Sequence, residues 1–165
     1  MRYASIRSLD ISNGESIGVA LFTQGCPFHC KNCFNPETHD FSGGKEYTLE
    51  VRDKIVSLTS RSYIKRFSIL GGEPLIDRNK QDLISLCSMI KRIRPDIKIW
   101  VYTGNTFENI KQSWYDLLYN YVDILVDGQY VDDLKDLRLE FRGSSNQRLI
   151  DVKETYKNDN IILYK

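Results

Sequence analysis

Residues 17–35, IGVALFTQGCPFHCKNCFN, decide how this chain is read. Residues 17–23, IGVALFT, have the apolar run of a buried strand. The run leads straight into a loop that holds Cys26, Cys30 and Cys33 at a C-x₃-C-x₂-C spacing. Three soft sulfur ligands in one loop can grip a metal centre without help from the rest of the chain. A closed structural site asks for four protein ligands, so three leave one coordination position for something else.

Outward from this segment the chain alternates. Thr48 suits the N-cap of a helix with Val51, Ile55 and Leu58 on one face. Residues 67–70 form a short apolar strand ending at Gly71-Gly72-Glu73-Pro74. Leu83, Leu86, Cys87, Ile90 and Ile93 keep helical spacing until Pro95 stops them. A strand over 97–102 ends at Thr103-Gly104, and a helix carries Phe107, Ile110, Trp114, Leu117 and Leu118. A strand over 122–126 ends at Asp127-Gly128. RGSSNQ at 142–147 has the composition of a solvated loop; a short strand follows over 149–152, and 161–164 reads as a last strand or a docked tail.

Strand and helix in alternation predict parallel strands joined by right-handed crossovers. Each probable strand ends in a polar or glycine-rich cluster, and in parallel α/β folds those ends share the side where ligands bind. A complete eight-stranded barrel takes about 250 residues. With 165, the expectation is one α/β domain over 1–165, an incomplete parallel β/α barrel open on one side. No repeat or low-complexity linker divides it.

Composition excludes several classes. Lysine and arginine number 23 against 22 acidic residues, so charge argues for neither a nucleic-acid nor a membrane partner. No apolar run reaches the roughly 20 residues of a membrane-spanning helix, and the first residues lack a signal-peptide core. A cytoplasmic setting is the expectation, where thiols stay reduced and clustered cysteines serve metals better than disulfides. Cys87, alone in an apolar helix, reads as a small buried hydrophobe.

The cysteine loop admits rivals: a Cys₃His zinc site recruiting His39, or an electron-transfer cluster completed by Cys87. GGEP can be a plain strand-to-helix turn; its glycines also let a ligand approach the main chain, and Glu73 suits an ammonium group. Thr103 and Asp127 draw their interest from standing at strand ends on the same side.

Taken together, Cys26-x₃-Cys30-x₂-Cys33 and Gly71-Gly72-Glu73-Pro74 resemble the radical S-adenosylmethionine superfamily. The Asn13-Gly14 turn, QGCPFHCKNCFNPET, Tyr102-Thr103-Gly104, Asp123 to Gly128 and Arg142 to Arg148 resemble its activases of anaerobic (class III) ribonucleoside-triphosphate reductase. The resemblance implies that Cys26, Cys30 and Cys33 hold a [4Fe–4S] cluster whose fourth iron chelates S-adenosylmethionine. It places Gly71, Gly72 and Glu73 at the methionine amino end and the backbone of Asn32, Cys33 and Phe34 at the adenine. Thr103 and Asp127 transfer as lesser contacts. Asn32 stands where many members of the superfamily carry a bulky residue. The implied reaction is reductive cleavage of S-adenosylmethionine, with a glycyl radical formed on the reductase. Flavodoxin is the implied electron donor. No side chain is implied as catalytic acid, base or nucleophile. Activation of another glycyl-radical enzyme, such as pyruvate formate-lyase, is the alternative within the resemblance. A colourless zinc-stabilised binding module is the alternative outside it.

Overall fold

A computed structural model describes residues 1–165. Its strands are β1 (Arg2–Asp10), β2 (Gly18–Thr23), β3 (Lys45–Glu46), β4 (Arg66–Gly71), β5 (Lys98–Tyr102), β6 (Ile124–Asp127) and β7 (Arg148–Asp151). Its helices are α1 (Leu49–Thr59), α2 (Lys80–Ile93), α3 (Phe107–Ile110), α4 (Tyr115–Tyr121) and α5 (Val152–Asn158). The strands form one open seven-stranded sheet in the order β3-β1-β2-β4-β5-β6-β7.

The expected parallel sheet is found only at the centre. β2, β4, β5 and β6 pair in parallel. Each of these steps uses a helical crossover: α1, then α2, then α3 with α4. The flanks are antiparallel, β1 against β2 and β7 against β6. β7 runs backwards because residues 128–147 return on the same side of the sheet with no helical crossover. Thr48 Oγ1 accepts from Val51 N at 3.3 Å, capping α1 as its sequence suggests. The helix expected over 107–118 is two short ones with a break at 111–114.

Alternation along the central strands separates two faces. Val19, Leu21, Phe67, Ile69, Ile99 and Val101 pack into the main core with Leu83, Leu86, Ile90, Leu117 and Leu118 from the helices. Ala20, Phe22, Leu70, Trp100 and Val126 face the other way, in two small clusters. The crossover helices therefore cover one face, and the second face is left to form a cavity. No helix is long and apolar enough to cross a membrane.

One buried ion pair fixes the β1–β2 connection. Arg66 Nη2 donates to Asp10 Oδ2 at 2.9 Å, and both side chains are about 1% exposed. The same guanidinium donates to the carbonyls of Asp10 and Glu15. Burial alone would raise the Asp10 carboxyl, but the Asn13 amide and Arg66 hold it below the usual carboxylate range. Arg66→Met removes the buried cation paired with Asp10 and leaves it only the half-exposed Arg7 at 3.4 Å, so urea unfolding is expected to show a loss of about 3–5 kcal/mol.

Candidate metal centre

The carboxyl ends of β2, β4 and β5 meet at a cavity of about 620 Å³, within the ~300–1,000 Å³ range of small-molecule sites. Cys26, Cys30 and Cys33 line it on one side. Gly71, Gly72, Glu73 and Thr103 line it from the neighbouring strand ends. Gathering at one mouth is what parallel pairing dictates.

The cysteine loop is seated by main-chain bonds. Gly72 N donates to Thr23 O at 3.0 Å, and Glu73 N donates to Gly25 O at 2.8 Å. From the other side, Gly25 N donates to Thr38 O at 2.7 Å and Cys26 N to His39 O at 3.2 Å. The glycines permit this. Gly71 has φ +106°, and a Cβ on Gly72 would stand 2.4 Å from Gly25 O. The close approach expected of a ligand is thus made by the cysteine loop's own backbone. Within the loop His29 and Asn32 take left-handed φ, and Cys33 N donates to Cys30 O at 3.2 Å. The Phe28 ring lies against Gly104, tying the loop to the end of β5.

Glu73 is buried at the centre of the strand ends. Its Oε1 accepts from Leu75 N at 2.9 Å and from Thr103 Oγ1 at 2.7 Å. Oε2 accepts from Gly104 N at 2.7 Å. The carboxylate therefore joins the turn after β4 to the end of β5, while still bordering the cavity. Burial pushes its carboxyl upward against these three donors. Thr103 lies in the site as Glu73's partner.

Two other residues expected at the site stand off the cavity wall. Asp127 is buried, but Oδ2 accepts from Phe107 N at the start of α3, and both oxygens meet Arg148. Its strand-end position, attractive in the sequence, goes to a helix start and an ion pair. The Asn32 side chain is exposed and donates to Asp132 at 2.8 Å. Phe34 does line the cavity, beside Tyr130 at a ring separation of 5.1 Å.

Burial raises the Cys26 thiol, countered in part by the amides of Phe28 and His29. Burial likewise raises Cys33, whose sulfur accepts from Asn35 N at 3.4 Å. Both environments suit a bound metal, which itself supplies the charge that deprotonates a thiol. No three His, Cys, Asp or Glu side chains are gathered to hold a single ion. Zinc, with Zn–S bonds of about 2.3 Å, needs its donors to converge on one point. Three thiolates on one loop, each able to take a different iron, fit a multi-iron group. Cys87 is fully buried in α2, packed in the main core and not on the cavity wall, which removes it from the candidate ligands.

Three further groups stand at the cavity, of which the sequence had offered only His39, as a zinc ligand. His39 Nε2, Tyr102 OH and Arg142 Nε are buried there without a hydrogen-bond partner in the protein. Tyr102 carried a signal, a polar tip at the end of an apolar strand. The RGSSNQR run is only partly solvated, with Ser145 and Asn146 exposed. Gln147 Oε1 accepts from Gly143 N and Ser144 N, Gln147 Nε2 donates to Gly128 O, and Ser144 is fully buried.

The whole pattern matches a known family. Residues 12–150 match the model of the 4Fe-4S single cluster domain, and the chain belongs to that family. It is 38% identical over 149 residues to the anaerobic ribonucleoside-triphosphate reductase-activating protein of Vibrio cholerae serotype O1, covering 89% of this chain and 96% of the relative. The protein of that name from Enterobacteria phage T4 is also 38% identical, with 90% and 93% covered. That from Escherichia coli (strain K12) is 35% identical, with 89% and 96% covered. Within the cluster-domain family the chain belongs to the anaerobic ribonucleoside-triphosphate reductase-activating proteins.

Alanine at Cys26, Cys30 or Cys33 is expected to abolish [4Fe–4S] assembly, whereas Cys87→Ala retains it; iron content after anaerobic reconstitution checks this. Gly72→Ala forces the turn off Gly25 O. It is expected to cost about 1–3 kcal/mol in thermal or urea unfolding and to lower iron incorporation. Full iron content with unchanged stability would show that the close contact is dispensable.

Proposed function

We propose that this chain is a radical S-adenosylmethionine activase acting on the glycyl-radical subunit of an anaerobic ribonucleoside-triphosphate reductase. The observation that carries the reading is the seating of a three-cysteine loop against GGEP at the mouth of parallel strands, beside a cavity of ligand size. The names of the relatives support the partner. In this reading residues 1–165 are a single domain, with a partial β/α barrel of the radical S-adenosylmethionine type at its centre.

Cys26, Cys30 and Cys33 would hold a [4Fe–4S] cluster, and as three protein ligands they would leave one position open for S-adenosylmethionine. When bound, the cluster and S-adenosylmethionine supply one-electron cleavage of a sulfonium and abstraction of a glycine hydrogen on the reductase. The protein's part is positioning and shelter from water. Gly71, Gly72 and Glu73 border the methionine end, with Thr103 fixing the Glu73 carboxylate. The Glu73 carboxylate has one lone-pair direction beyond its three protein donors for an ammonium group. The backbone of Asn32, Cys33 and Phe34 borders the adenine, while Asp127 supports α3. Tyr102 and Arg142 offer free donors on the cavity wall. No side chain acts as acid, base or nucleophile. The electron donor in this reading is a flavodoxin.

The test mixes the anaerobically reduced, reconstituted protein with S-adenosylmethionine and the reductase and looks for a glycyl radical by electron paramagnetic resonance. The radical is expected with the ribonucleotide reductase. A radical on pyruvate formate-lyase and none on the reductase would overturn the choice of partner.

A further inference from the structure

Of the buried polar atoms without a protein partner, those of Tyr47 and Asn79 lie away from the cavity, and those of His39, Tyr102 and Arg142 line it. His39 alone of these is tied directly to a cysteine, because its carbonyl accepts from Cys26 N at 3.2 Å. Its backbone N–H is held by Pro36 O at 3.2 Å, closing the short turn of residues 36–38. The His29 ring, from within the cysteine loop, meets the His39 ring edge-on at a centroid distance of 4.8 Å. His39 is thus pinned by its main chain and its ring beside the metal-binding loop, and its unpartnered Nε2 is buried at the wall of the cavity the three cysteines share.

A buried imidazole nitrogen left unpaired is destabilising. A group bound in the cavity is placed to supply the partner. On this side of it stand Cys26, Cys30 and Cys33. Thiolates and the sulfides of a cluster accept hydrogen bonds and donate none, so they select the imidazole tautomer that carries its proton on Nε2. Hydrogen bonds to cluster sulfurs withdraw negative charge and favour the reduced form.

We propose that His39 is a positioning and tuning residue for the cluster: its Nε2–H donates to a sulfur of the [4Fe–4S] group and raises its reduction potential. The inference rests on the three-cysteine reading of the site. It assigns His39 a role distinct from ligation, in keeping with the absence of a tight Cys–His cluster.

The test compares wild type, His39→Leu and His39→Gln after anaerobic reconstitution, without S-adenosylmethionine. Three measurements are made: iron content, the midpoint potential from a redox titration followed by electron paramagnetic resonance, and thermal unfolding. His39→Leu is expected to keep full iron content and shift the midpoint to a more negative value. His39→Gln, whose amide N–H reaches about as far as Nε2, is expected to restore the wild-type midpoint. Wild type labelled with [15N]histidine is expected to show nitrogen coupling to the reduced cluster in pulsed spectra, and His39→Gln is expected to lose it. An unchanged midpoint in His39→Leu overturns the proposal, as does absence of His39-dependent coupling in the labelled wild type. Loss of iron from His39→Leu with the fold intact also overturns it, by making His39 a ligand. Failure of wild type to assemble a cluster would instead sink the three-cysteine reading itself.

Discussion

Two main-chain hydrogen bonds hold the site together, Gly72 N to Thr23 O and Glu73 N to Gly25 O. They join the exits of neighbouring parallel strands, so the main chain itself registers the cysteine loop against GGEP. Every other contact of the loop builds on that registration. Thr38 and His39 cover it from one side, and Phe28 reaches over Gly104 on the other. The Glu73 carboxylate extends the same tie to the end of β5. A side chain at residue 72 would collide with Gly25 O, which is why glycine is needed at this point.

The sheet explains how so small a chain builds such a site. Helical crossovers force β2, β4, β5 and β6 to run in one direction and bring their carboxyl ends together. The same helices occupy only one face, which leaves the opposite face open to a ligand. The antiparallel β1 and β7 widen the sheet without further crossovers. The Arg66–Asp10 pair anchors the turn between β1 and β2 from inside β4. A buried ion pair thus ties the amino ends of the central strands, and the cysteine loop, Glu73 and backbone donors gather at the carboxyl ends.

Much of this was legible in the sequence where spacing carried the signal. The cysteine interval, the unbroken apolar run of β2 and the helical period of α2 each correspond to one structural element. β1 was not legible, because RYASIRSLD has no clean apolar alternation and is largely half-exposed. The direction of β7 was hidden as well, since a polar return of about twenty residues does not reveal whether it crosses the sheet. Asp127 misled by position: a strand-end aspartate serves the start of α3 as readily as a ligand. RGSSNQR misled by composition, because its polar groups bond back to the exit of β6. His39 was marked only as a possible zinc ligand by its distance from Cys33, and Arg142 only as part of a polar run; the folded chain shows which of their polar atoms lack a partner.

The central claim is that three cysteines hold a cluster and leave one iron for a small molecule. Mössbauer spectroscopy of protein reconstituted with ⁵⁷Fe tests it most directly, before and after S-adenosylmethionine is added. The account predicts that one iron in four changes its isomer shift and quadrupole splitting on addition, while the other three keep theirs. Spectra that are identical in the two states, with all four irons equivalent, would contradict it.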